Sequence, residues 1–157
     1  MDPFIVRNLV YGLEDSFIST TGVLVGISFA GLPRLYVIIT GIVLIFCEAS
    51  SMAFGAFVSE ESFLLAAKTP YTLKQVFEYA TIMFLAYTFA GIAVMLPYIL
   101  RLPNAPLLSI AIAIAGLFTI IQVTQQSVRK ATVVSAAGGG ILAFTIVIGR
   151  VIDKWKK

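Results

Sequence analysis

Apolar residues fall into five long runs separated by short polar breaks, and the runs are too continuous to be single faces of soluble helices. A helix needs roughly 20 mostly apolar residues to cross about 30 Å of hydrocarbon. The runs therefore predict spans over residues 8–30, 35–58, 72–100, 105–121 and 131–152. The first opens on a mixed polar turn, with Tyr11, Glu14 and Asp15, before Val23-Leu24-Val25. Gly31-Leu32-Pro33-Arg34 ends it, since glycine terminates helices and proline restricts the residue before it. Residues 59–71, with Glu60, Glu61 and Lys68, form the longest polar connection, and its centre at 63–67 can extend the helix or lie at the interface. The third run opens with Lys74 and Glu78 four residues apart and closes at Arg101-Leu102-Pro103-Asn104. The fourth ends in Gln122, Gln125 and Gln126, and Arg129 and Lys130 divide it from the fifth. The expectation is an all-α integral membrane bundle of five transmembrane helices, one domain over residues 1–157.

Composition sharpens this picture. The chain is 59% hydrophobic and 12% charged, about half the charge of an ordinary soluble domain, and its mean hydropathy is +0.99. Too little polar surface exists to coat a globule, so lipid must serve as solvent. The net charge of +3 is spread along the chain and densest in Arg150, Lys154, Lys156 and Lys157. Such a tail belongs among anionic headgroups rather than on nucleic acid. A single cysteine, Cys47, excludes an internal disulfide framework and zinc-ribbon spacing, and is read as packing. Histidine is absent, and so is any nucleophile–base pairing, so an enzyme is not expected. Glu14 and Asp15 break the first run where a signal peptide would be uniformly apolar, so no cleavable leader is expected.

Against this background Glu48 stands out. It lies close to the middle of the second run, where an ionised side chain costs about 2.5–3.5 kcal/mol. A cost of that size points to a cavity, an ion or a partner, the bland alternative being a protonated carboxyl bonded to a neighbouring helix. If the first two helices pack antiparallel, Asp15 and Met52 come to a similar depth. Glu48 then lies one turn deeper on the Met52 face. Ser19 and Gly22 continue the Asp15 stripe. Two carboxylates, a thioether and a hydroxyl would share one seam. Carboxylates alone suit magnesium or calcium, and an added sulfur shifts preference toward Fe²⁺ and less strongly Mn²⁺. Methionine in an apolar helix is more often core filler, and only its position relative to Glu48 raises Met52 above that.

Small residues recur at four-residue spacing, Gly22 with Gly26 and Ser51 with Gly55, the pattern of close helix packing within a bundle or between two copies. Five helices make a small bundle, which leaves room for a pathway between two protomers. Arg7, Lys68, Lys74, Arg129 and Lys130 fall on one side of the membrane, and Arg34 and Arg101 on the other. This excess puts the N-terminus in the cytoplasm; counting Arg150 and the tail lysines removes the excess.

These residues resemble the vacuolar iron transporter family. Tyr11-Gly12-Leu13-Glu14-Asp15-Ser16-Phe17-Ile18-Ser19-Thr20 is similar to its opening helix, and Ser51-Met52-Ala53-Phe54-Gly55-Ala56-Phe57-Val58-Ser59 to its second-helix signature S-M-A-x-G-E-Y-V-S. Leu96-Pro97-Tyr98 and the stretch from Gly138 to Gly149-Arg150 resemble later parts of that family. The resemblance implies a homodimer of five-helix protomers with the pathway at the dimer interface. It implies proton-coupled export of Fe²⁺, often also Mn²⁺, from the cytoplasm, with no permanently bound cofactor and the metal as substrate. The translocation aspartate falls on Asp15 and the methionine on Met52. The membrane would be the plasma membrane in a prokaryote and vacuolar-type in a eukaryote.

The chain departs from that pattern in three places. The family's second-helix carboxylate falls on Leu44, leaving Glu48 as the available substitute. Its E-Y-V-S glutamate is Ala56. The long glutamate-rich insert of vacuolar members is replaced by residues 59–71, where Glu60, Glu61 and Glu78 form either a remnant acidic mouth or ordinary solvated charge. Glu14, Ser19, Glu60 and Glu61 are thus candidates for the pathway or its entry. Two other readings stand beside this one: a small proton-coupled exporter of organic cations, which needs an aromatic cage around the carboxylate, with Tyr11, Tyr36, Tyr87 and Phe46 available and only Phe46 close to Glu48 in sequence, and a non-transporting membrane subunit.

Overall fold

The structure is a computed structural model and describes residues 2–155. Lys156 and Lys157 of the expected headgroup tail lie outside the described residues. The helices are α1 (Pro3–Phe29), α2 (Arg34–Ala66), α3 (Leu73–Ile99), α4 (Ala105–Gln125) and α5 (Val128–Trp155), with no strand among the described residues. Local chemistry sets several ends. Asp2 caps α1 by accepting from the Phe4 N–H at 2.8 Å, with Pro3 at the first position, where its missing N–H costs nothing. Thr72 and Gln75 cap α3 reciprocally. Gly31 turns the chain between α1 and α2 at φ +73°, a conformation that glycine adopts freely.

Four helices, α2 to α5, are long and apolar enough to cross a membrane. Their exposed Phe46, Phe54, Phe89 and Phe144 form a lipid-facing exterior. α1 falls outside that group because it is polar on its inside. Asn8, Ser16, Thr20 and Thr21 are all buried there. Its 27 residues still extend about 40 Å at 1.5 Å per residue, enough to cross.

α1 is the hub. It packs on all four other helices, whereas α2 packs only on α1 and α3, and α5 only on α1 and α4, among the described residues. Leu24 and Phe17 of α1 join Val94 of α3 and Leu117 of α4 in one apolar core. Successive helices alternate in direction, so α1 and α3 run parallel: Asp2 meets Tyr79 and Ser28 meets Tyr98. Close approach depends on missing side chains. A Cβ on Gly12 would lie 2.8 Å from the Met83 carbonyl of α3, and one on Gly41 2.8 Å from Leu24.

One open alternative closes and two expectations change. The polar connection over residues 59–71 is helical as far as Ala66, because Ala56, Glu60 and Leu64 continue the buried stripe of α2. Ser51 and Gly55 lie off that stripe and are exposed, and a Cβ on Gly55 meets nothing within 4 Å, so this pair does not pack within the protomer. Gly22 and Gly26 do pack, against Thr145 of α5. Cys47 is likewise exposed rather than packed.

Gly12→Ala should destabilise the protein by about 1–3 kcal/mol, because backbone rather than a flexible side chain blocks the added methyl. Gly140→Ala, where a Cβ meets nothing within 4 Å, should be neutral or stabilising by up to about 1 kcal/mol. Thermal unfolding in detergent measures both, and equal shifts would contradict this packing.

Candidate functional site

Because α2 and α5 flank α1 without touching each other, one face of α1 stays uncovered. Tyr11 is exposed on this helix, and Glu14, Asp15, Ile18 and Ser19 are half-buried. The register against α2 is fixed at two points. Asn8 donates to Glu60 at 2.9 Å near one end, and Gly41 receives Leu24 toward the other. Interpolating between them sets Asp15 level with Met52 and Glu48 one turn beyond. At that register Glu48 lies near enough for its charge to act on Asp15 across the α1–α2 seam. Both are half-buried, as is Met52.

α3 closes the back of this seam. Gly91 sits where Ser16 and Ile45 meet, so α3 lies close to both α1 and α2. The Tyr87 hydroxyl, fully buried, shares a hydrogen bond of 2.8 Å with Ser19 and accepts from Thr20 at 3.4 Å. The charges of Asp15 and Glu48 both reach it. Ser19, one turn along α1 from Asp15, is thereby held by a buried phenol. Sequence reasoning noted Tyr87 only as an available aromatic; its place here follows from α3 running parallel to α1. Tyr11, Tyr36 and Phe46, the other aromatics a cation cage would draw on, are exposed. Among the described residues no three acidic, cysteine or histidine side chains gather as a metal cluster, so one protomer offers the Asp15–Glu48 pair.

Toward the N-terminal end the seam widens into an open cavity of about 1040 Å³. Glu14, Ser51, Met52, Gly55 and Glu60 line it, with Met83 of α3 and Gln125 of α4. Glu14 and Met52 therefore face the same space. The mouth is built by an aromatic cluster: Phe4 stacks on Tyr79 at 5.3 Å and meets Phe63 at 5.8 Å. The Tyr79 hydroxyl donates to Asp2 at 2.8 Å.

The three acidic residues of the expected mouth separate. Glu60 is only 1% exposed and is held by Arg7 and Asn8, so the solvated reading fails for it. Its place on the α2 stripe with Ala56 and Leu64 turns it inward. Glu61, half-buried, accepts from the Tyr71 hydroxyl at 3.2 Å. Glu78 is exposed and lies 3.9 Å from Lys74, an ordinary surface pair.

The fold and these apolar helices define a multi-pass integral membrane protein. The model of the VIT family matches residues 6–69, nearly all of α1 and all of α2, consistent with a member of that family, whose proteins are metal-ion transporters and not enzymes. The matched stretch carries Asp15, Glu48 and Met52. No curated protein and no solved structure gives a match.

The cavity makes a chemical prediction. With Cys47 replaced by serine, Glu14→Cys and Met52→Cys should react with a charged, water-soluble thiol reagent, whereas Ala49→Cys, at a fully buried position, should not. Labelling rates in proteoliposomes read this directly; equal reactivity at all three positions would exclude a wet cavity.

Proposed function

We propose that the protein exports a divalent transition metal, Fe²⁺ or Mn²⁺, from the cytoplasm in exchange for protons, through a seam lined by Asp15, Glu48 and Met52. The observation that supports this most strongly is the α1–α2 register, which sets Asp15 level with Met52 and Glu48 one turn beyond, beside the face of α1 that no helix of the protomer covers. Two carboxylates sharing a site repel when both are ionised, and a divalent cation or protons relieve that repulsion. The same pair can therefore hold either cargo, which is the condition for exchange. Met52 at the level of Asp15 adds a soft donor that favours Fe²⁺ over magnesium.

The exchange runs in two halves. With the cavity open to the cytoplasm, ionised Asp15 and Glu48 take a cation stripped of part of its water. After the helices reorient, protons displace the metal on the other side and the neutral acids allow return. The open face of α1, with the exposed Ser51 and Gly55 of α2 beside it, is the surface on which a second copy packs. Two-fold symmetry then brings two such pairs together and completes the ligand set that one protomer lacks.

In liposomes with an imposed pH gradient, wild type should take up Fe²⁺ and Mn²⁺ while releasing protons. Glu48→Gln and Asp15→Asn should each cut uptake by about a hundredfold or more, as expected when a charged partner of a desolvated cation is lost. Flux that survives both substitutions would remove the carboxylates from the mechanism. Uptake of a quaternary ammonium ion in place of metal would move the protein to the organic-cation reading.

A further inference from the structure

The Arg7–Glu60 pair at the cavity mouth is arranged in a way that simple pinning of two helices does not require. Glu60 is 1% exposed, yet one oxygen does all the bonding. Oε1 accepts from both Arg7 and Asn8, while Oε2 is buried with no hydrogen-bond partner. Leaving a buried polar atom unpaired costs about 1–3 kcal/mol, and more for a charged group. Glu60 lines the cavity that Glu14 also lines. Arg7 is held differently. Its side chain is 56% exposed, and its guanidinium lies over the Phe4 ring at 5.3 Å from the centroid. It can release Glu60 while keeping water and an aromatic face as partners. The arginine is free to leave, and the glutamate is not.

We propose that Glu60 and Glu14 form an entry site for a divalent cation, with the Arg7 guanidinium as a tethered competitor that occupies Glu60 until the cation displaces it. This rests on the transport reading above and adds to it a first binding step. The charges balance. With Arg7 on Glu60 the pair is neutral. With Arg7 released from Glu60 and left to water and the Phe4 ring, two carboxylates face a cation of charge two, and the unused Oε2 becomes a ligand. Carboxylate oxygens are the donors that Mn²⁺ accepts readily. Glu14 is next in sequence to Asp15, about 10 Å along α1 from Arg7 at 1.5 Å per residue. A cation held between Glu60 and Glu14 thus has the Asp15–Glu48 pair next along the seam. The competitor keeps the mouth closed to monovalent ions, because one unit of charge does not outbid a guanidinium held on the same carboxylate.

The test is Mn²⁺ binding to the purified full-length protein, followed by the loss of the free-ion electron paramagnetic resonance signal, alongside Mn²⁺ uptake in liposomes. Arg7→Gln should tighten binding and lower the KM for uptake by about tenfold; Glu60→Gln and Glu14→Gln should each weaken binding by about tenfold. Opposite signs for the two partners of one ion pair are the signature. A pin between helices predicts instead that Arg7→Gln and Glu60→Gln both lower the unfolding temperature and leave Mn²⁺ affinity unchanged, and that result would overturn the proposal. Should Glu60→Gln fail to fold, Arg7→Gln and Glu14→Gln carry the same test, since neither residue is fully buried. Wild-type flux with unchanged affinities in the variants sinks the entry site and leaves transport standing. The predicted affinity shifts without flux would do the reverse.

Discussion

The packing of α1 constrains everything else. A helix that touches four others has one strip of surface left, and any polar group needing water, an ion or a second copy must use that strip. In a bilayer this constraint is severe, because a polar side chain turned toward hydrocarbon has nothing to bond. α1 solves it in two ways. Ser16, Thr20 and Asn8 are buried and bonded to neighbouring side chains. Glu14 and Asp15 lie along the seam that α2 leaves open. The polar residues of α1 are thus divided between its buried centre and its one open strip.

The seam is graded from end to end. At the N-terminal mouth Glu60 is neutralised by Arg7, and the cavity behind it is wide and mixed in character. At the level of Met52 comes Asp15, and one turn further Glu48, with the buried Tyr87 of α3 bonded to Ser19 behind them. Beyond that, Leu24, Val37, Gly41 and Met95 close the seam with apolar packing. A gradient from wet to dry, with the least compensated charges at the boundary, is the arrangement expected of a carrier open to one side.

Much of this was legible in the sequence, and the reasons are physical. Long apolar runs must be helices in lipid, so all five were predicted, and the ends set by Gly31 and Pro33 fell close to where α1 stops and α2 starts. The depth relation among Asp15, Met52 and Glu48 needed only helix geometry and an antiparallel neighbour. What escaped was tertiary. Glu60 looked like surface charge because Ser59, Glu61 and Ser62 around it are polar, and only its four-residue spacing from Ala56 and Leu64 signalled burial. Arg7 as its partner could not be read at all, since the two lie on different helices. Ser51 and Gly55 matched a packing pattern, but a pattern states that a surface is smooth, not what covers it.

The central claim is that Asp15 and Glu48 share one water-accessible, cation-binding seam. The most direct measurement replaces both with cysteine, with Cys47 changed to serine, and asks whether Cd²⁺ protects the thiols from alkylation. Two facing thiolates chelate a soft cation together, so protection in the double variant should appear at a concentration at least about tenfold lower than in either single variant. Protection at the same concentration in all three, or thiols that no aqueous reagent reaches, would contradict the account.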